Sequence, residues 1–147
     1  MSYSSSPSSF WVSALSTPAT RLTTEGAEVT LVKLMSAITT NVLDTSRGRP
    51  AAGVPVTIEV EAAGGWQLIG KGTTDADGRV SQLIPSELTL SAGVYRLIFD
   101  TARYFTAQKL ECFYPQVTVV FEIRDPAQHH HVPLLLSPFG YSTYRGS

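Results

Sequence analysis

The 147-residue chain carries a single cysteine, only three histidines, and no charged side chain before Arg21. With Cys112 alone no internal disulfide can form, which fits a reducing compartment or indifference to redox state. Cys112 lies in the strand-like Leu110-Glu111-Cys112-Phe113-Tyr114 and reads as a packed thiol rather than a nucleophile. A net charge of -1 leaves no general attraction for nucleic acid or anionic lipid, so neither is expected as a partner. Long hydrophobic runs are also missing. Val132 to Leu136 is short and contains Pro133, far from the roughly 18 apolar residues of a spanning helix, and a soluble protein is expected. There is no Gly-x-Ser-x-Gly elbow and no phosphate-binding glycine loop. Ser137, Ser142 and Ser147 therefore do not read as triad nucleophiles, although they lie near the histidines in sequence.

What is present suffices for one domain with an extension, since 43% of the residues are hydrophobic. Residues 1–36 read as a Ser-rich, flexible N-terminal extension: the first 20 hold eight serines and two prolines, with only Phe10-Trp11-Val12 as an apolar patch. Val29 to Leu34 is either the end of this extension or a short added strand. The segment lacks the basic start and apolar stretch of a secretory signal and the arginines of a mitochondrial presequence. Arg21-Leu22 is not followed by the His-Leu or Gln-Leu of a peroxisomal signal. The location is expected to be cytoplasmic or peroxisomal.

Residues 37–147 read as an all-β domain. Ile38–Leu43, Val54–Glu61, Trp66–Thr74, Val80–Ile84, Val94–Asp100, Gln116–Ile123, His131–Leu136 and Tyr141–Tyr144 are eight candidate strands, divided by turn residues such as Ala63-Gly64-Gly65 and Asp75-Ala76-Asp77-Gly78. Alternation is clearest in Val54, Val56, Ile58 and Val60, and again in Val117, Val119, Phe121 and Ile123, so each strand has one face for a core. Regular spacing of this kind predicts a sandwich. Asp100 to Gln108 lacks the alternation and opens on an N-cap residue, which predicts one short helix.

Every histidine lies in the last nineteen residues, where an apolar run leads through Pro138-Phe139-Gly140 into Tyr-Ser-Thr-Tyr, so the chain end reads as built into the fold. On a strand, His129 and His131 project from the same face about 6.5 to 7 Å apart, and His130 points away. Such a pair can share a metal, position a substrate or activate a water; equally it can be a polar strand end. Zinc is the weaker reading, because the chain has no other imidazole to complete its ligands. Asp75-Ala76-Asp77-Gly78 looks like the start of a calcium loop, but its glycine is misplaced and Ser86 stands where a bidentate glutamate belongs, so a tight turn is expected. Arg79 follows that turn. It is either a surface arginine or a guanidinium placed to bind an anion, a carbonyl or a developing oxyanion.

Thr39-Thr40-Asn41-Val42-Leu43-Asp44-Thr45 with Gly48-Arg49-Pro50-Ala51 and Gly53-Val54 resembles the opening strand and turn of the transthyretin-related proteins. Thr74 to Arg79, Gly93-Val94-Tyr95, Phe113-Tyr114-Pro115 and His131 to Pro138 continue the likeness in order. Tyr144-Arg145-Gly146-Ser147 resembles the terminal signature that separates the 5-hydroxyisourate hydrolases from transthyretin carriers. The resemblance covers about residues 37–147.

The resemblance implies a transthyretin-like two-sheet sandwich of eight strands and one short helix, assembled as a homotetramer with active sites in its central channel. It implies hydrolytic ring opening of 5-hydroxyisourate to 2-oxo-4-hydroxy-4-carboxy-5-ureidoimidazoline in urate degradation, with no cofactor. By position, Arg79, His131 and Tyr144 fall on the family's catalytic residues, with Asn41, His129 and Ser147 beside them to bind substrate. A neutral His131 would orient or deprotonate water, Arg79 would stabilise negative charge, and Tyr144 would hydrogen-bond the ring. One departure matters: this chain has Asn41 where the family's Thr-His-Val-Leu-Asp carries histidine. Asparagine hydrogen-bonds but cannot take up a proton at neutral pH, and losing a general base costs roughly 10² to 10⁴ in rate. The departure implies either a weakened site or one that relies on His131. The rival reading is a transthyretin-like binding protein for an aromatic ligand, its catalysis lapsed.

Overall fold

The computed structural model describes residues 37–147. The Ser-rich extension and the added strand considered for Val29 to Leu34 lie outside the described residues.

The strands in chain order are β1 (Ile38–Asp44), β2 (Arg49–Pro50), β3 (Pro55–Ala62), β4 (Gly65–Thr73), β5 (Gly93–Phe99), β6 (Val117–Ile123), β7 (His130–Ser137) and β8 (Gly140–Thr143), with helix α1 (Thr101–Ala107) after β5. They form two four-stranded sheets, β2-β1-β7-β8 and β4-β3-β5-β6. All pairings are antiparallel except that of β1 with β7, which is parallel and sets Ile38 opposite His130 and Asp44 opposite Leu136.

Period-two burial puts Ile38 and Val42 of β1, Leu134 and Leu136 of β7, Val56 and Ile58 of β3, and Tyr95, Leu97 and Phe99 of β5 into one core. The helix forms where the alternation stops. Its N-cap Asp100 accepts a hydrogen bond from the Arg103 backbone N–H, and it buries Tyr104 and Phe105. Tyr104 donates its hydroxyl to the Asp44 carboxylate at 2.6 Å, tying the end of β1 to α1. Burial pushes the Asp44 carboxyl up, but hydrogen bonds from Ser46, Tyr104 and the Arg47 backbone outweigh it and hold the group below its ordinary value.

One expected strand is absent and one unexpected strand is present. Val80–Ile84 is a run of turns, while Arg49–Pro50, expected as turn, makes a two-residue strand on the edge of β1. Val80, Leu83 and Ile84 are buried as their apolar character demands, but their backbone lies against β4 instead of pairing beside it. A Cβ added at Gly70 of β4 would stand 2.1 Å from the Leu83 carbonyl oxygen, so the missing side chain is what admits this segment. The strand-like character of residues 110–114 is also not realised: the segment is a loop, although the Cys112 thiol does pack against the core as expected.

Candidate active site

The alternation that buries Ile38, Thr40 and Val42 turns Thr39 and Asn41 to the outer face of the β2-β1-β7-β8 sheet. On β7 the same rule buries His130 and turns His131 outward. Parallel pairing then places His131 opposite Thr39, with Asn41 two residues further along β1.

The contacts are short. His131 Nε2 lies 3.0 Å from Asn41 Oδ1, and His131 Nδ1 lies 2.8 Å from Thr39 Oγ1. The same hydroxyl lies 2.9 Å from His129 Nε2. The His129 and His131 rings are 6.5 Å apart, in accord with the same-face spacing, but both turn a nitrogen to Thr39.

Arg79 arrives by way of a turn, as expected of Asp75 to Gly78. The Asp75 carboxylate accepts from the Asp77 and Arg79 backbone N–H groups at 2.9 and 3.1 Å. Gly78 has φ +75, and a Cβ there would meet the Val42 carbonyl oxygen at 2.5 Å. Glycine alone allows this approach, in which the Val42 N–H donates to the Gly78 carbonyl at 2.8 Å. Arg79 emerges bridged to Asn41.

The chain end closes another side. The Gly146 N–H donates to the His131 carbonyl at 2.8 Å, and a Cβ on Gly146 would lie 2.6 Å from His131 Cδ2. Ser147 follows directly and is exposed. The Tyr144 ring is 58% exposed, and among the described residues no hydrogen bond joins it to an imidazole.

Burial holds His131 below the ordinary imidazole value of 6.5, and the nearby charges of Arg79 and then His129 push in the same direction. At neutral pH it is an uncharged imidazole within electrostatic reach of the Arg79 guanidinium, able to accept a proton. His130, on the core face, is also held below its ordinary value, chiefly by burial and then by Arg145, and its Nδ1 is buried without a hydrogen-bond partner.

The structure thus brings together Asn41, Arg79, His129 and His131, sets Ser147 at their margin, and leaves Tyr144 pointing to solvent in the single chain. Thr39 is the residue that the sequence did not single out. Its place two residues before Asn41 put it on the same face, but only the β1–β7 register put it between two histidines. A cavity of about 520 Å³ lies elsewhere, against β4, lined by Leu68, Ile69, Lys71 and Leu83 among others.

Comparison with known proteins agrees with this fold. The family model described as HIUase/Transthyretin family matches residues 38–146. A 5-hydroxyisourate hydrolase of Salmonella dublin is 46% identical over 110 residues, 75% of this chain and 80% of the relative. Among solved structures, sea bream transthyretin in complex with thyroxine superposes with a TM-score of 0.71 at 37% identity, covering 76% of this chain and 95% of that one. The 5-hydroxyisourate hydrolase of Klebsiella pneumoniae superposes with a TM-score of 0.65 at 34% identity, covering 75% and 98%.

Proposed function

The chain belongs to the HIUase/transthyretin family, and from that premise we propose that it hydrolyses 5-hydroxyisourate to 2-oxo-4-hydroxy-4-carboxy-5-ureidoimidazoline in urate degradation. The observation that carries this reading is a neutral His131 held between Asn41 and Thr39 with the Arg79 charge beside it. Relatives named as hydrolases of this substrate, at 43 to 49% identity, support it. Fold likeness to a thyroxine-bound transthyretin supports a ligand carrier equally well as architecture. It leaves the depressed imidazole and its guanidinium without a use.

The chemistry follows from the side chains. His131 takes a proton from water as the water oxygen bonds to a ring carbonyl carbon. Arg79 stabilises the negative charge that builds on the carbonyl oxygen. The ring C–N bond then breaks, and the proton returns to the departing nitrogen. No electrons leave the substrate, so a hydrolase of this kind needs no redox partner. Asn41 positions the imidazole and contacts substrate without titrating, and His129, Tyr144 and Ser147 hydrogen-bond the ring from the margins.

The functional unit in this reading is a homotetramer. Support comes from the position of the site on an open outer sheet face, which a facing copy would enclose into a channel. It comes also from edge strands β6 and β8 that carry exposed Val120 and Tyr141, with Phe139 beside them.

The test is the decay of 5-hydroxyisourate generated from urate in situ, followed optically with and without the full chain. The expected outcome is decay faster than the spontaneous reaction, with a gain of up to about 10²-fold for Asn41→His, the low end for restoring a proton-accepting group. Spontaneous rates with both proteins would overturn the hydrolase reading.

A further inference from the structure

Asn41, His131, Thr39 and His129 form one unbroken chain of contacts, at 3.0, 2.8 and 2.9 Å in that order. A hydroxyl has one proton to donate and lone pairs to accept with, so Thr39 can receive from one imidazole while giving to the other. The Asn41 amide offers an oxygen or, turned over, an NH₂. Two proton arrangements therefore satisfy every member. In one, His131 donates Nε2–H to the Asn41 oxygen, Thr39 donates to His131 Nδ1, and His129 donates Nε2–H to Thr39. In the other every donor becomes an acceptor. Only the second leaves His131 Nε2 without a proton; its lone pair then accepts from the Asn41 NH₂, and water gives up its proton there when it takes the place of that amide contact.

Building on the hydrolase reading, we propose that Thr39 is a positioning residue that couples the two imidazoles, so that a proton accepted at His131 Nε2 leaves from Nδ1 through the Thr39 hydroxyl to His129. The protons balance. Water gives one to His131 Nε2, His131 Nδ1–H gives one to Thr39 Oγ1, and Thr39 gives its own to His129 Nε2, which becomes the cation. Reversing the steps returns a proton to the departing ring nitrogen.

The direction has a physical cause. His131 is half-buried and feels the charge of Arg79, so a lasting positive charge there is unfavourable, whereas His129 is exposed to water. Arg145 and Asp125 bear on His130 behind the strand, and the Gly146 backbone, which carries no charge, covers the His131 ring. With asparagine at position 41, His129 is the second imidazole within reach of the reaction.

Thr39→Val removes the hydroxyl at nearly constant shape, and Thr39→Ser keeps it. In the full-length protein, Thr39→Val is expected to lower kcat about 10- to 100-fold with KM within about twofold, and Thr39→Ser to stay within about threefold of the parent. Full activity in Thr39→Val, or a Thr39→Ser protein as poor as Thr39→Val, would overturn the coupling. A second readout does not depend on turnover. With three histidines in the chain, ¹⁵N imidazole shifts resolve each ring. Protonating His129 obliges it to donate to Thr39 and should drive His131 to its Nε2–H tautomer; this response should vanish in Thr39→Val and persist in Thr39→Ser. A parent whose His131 tautomer ignores the His129 titration would refute the coupling. A parent that shows the tautomer response without accelerating substrate decay would instead sink the hydrolase reading and leave the coupling standing.

Discussion

At the scale of single residues, the proposed mechanism gives Arg79 two effects that one substitution separates. In that mechanism its guanidinium steadies the developing negative charge, and its charge also helps hold His131 below the ordinary imidazole range. Arg79→Gln should therefore lower kcat by roughly 10² to 10³, the scale for losing one oxyanion donor. The same change takes a positive neighbour from His131, so the proton-bound form becomes easier to reach and its pKa rises toward 6.5. The acid limb of the kcat–pH profile should move to higher pH. A profile that drops in height without moving would show that Arg79 acts on substrate alone.

At the scale of elements, β7 carries its two histidines on opposite faces, and burial depresses both. The unfolded chain binds protons at these sites from about pH 6.5 downward, where the folded strand resists them. The unfolded state thus holds more protons in that window, so stability is fully present above it and is lost as pH falls from about 6.5 through the lowered folded values. Urea midpoints at fixed protein concentration should decline from about pH 7.5 to about pH 5.5, above the carboxylate range. His130→Gln should flatten part of that slope without altering the outward face; an unchanged slope would assign the loss to other groups.

At the scale of the whole molecule, the candidate site is open in a single chain, and edge strands β6 and β8 carry exposed apolar side chains for a facing copy to cover. Sedimentation equilibrium should give a mass near four copies of the 15.9 kDa chain. Val120, 58% exposed on β6, is the position to challenge. Val120→Glu should shift the equilibrium to smaller species and lower activity in step with the lost tetramer. A monomeric parent with full turnover would show that one outer sheet face suffices.

The alternation of apolar and polar residues by itself determined most of the sandwich, because the two faces of a strand are distinguished by neighbours two apart. That is why β3, β5, β6 and β7 were legible, and why the break in the pattern after Asp100 marked the helix. The Val80–Ile84 run carries the same apolar signal without forming a strand: hydrophobicity reports burial, and the glycines of β4 allow a turn to be buried as deeply as a strand. The likeness of scattered motifs also brought Asn41, Arg79, His129 and His131 into view as candidates. Only the tertiary structure decided which atoms meet. The parallel β1–β7 register sets the Thr39 hydroxyl between two imidazoles 90 and 92 residues away, and the left-handed Gly78 brings Arg79 beside Asn41. Register and close approach depend on pairings between distant segments, and no local pattern in the sequence records them.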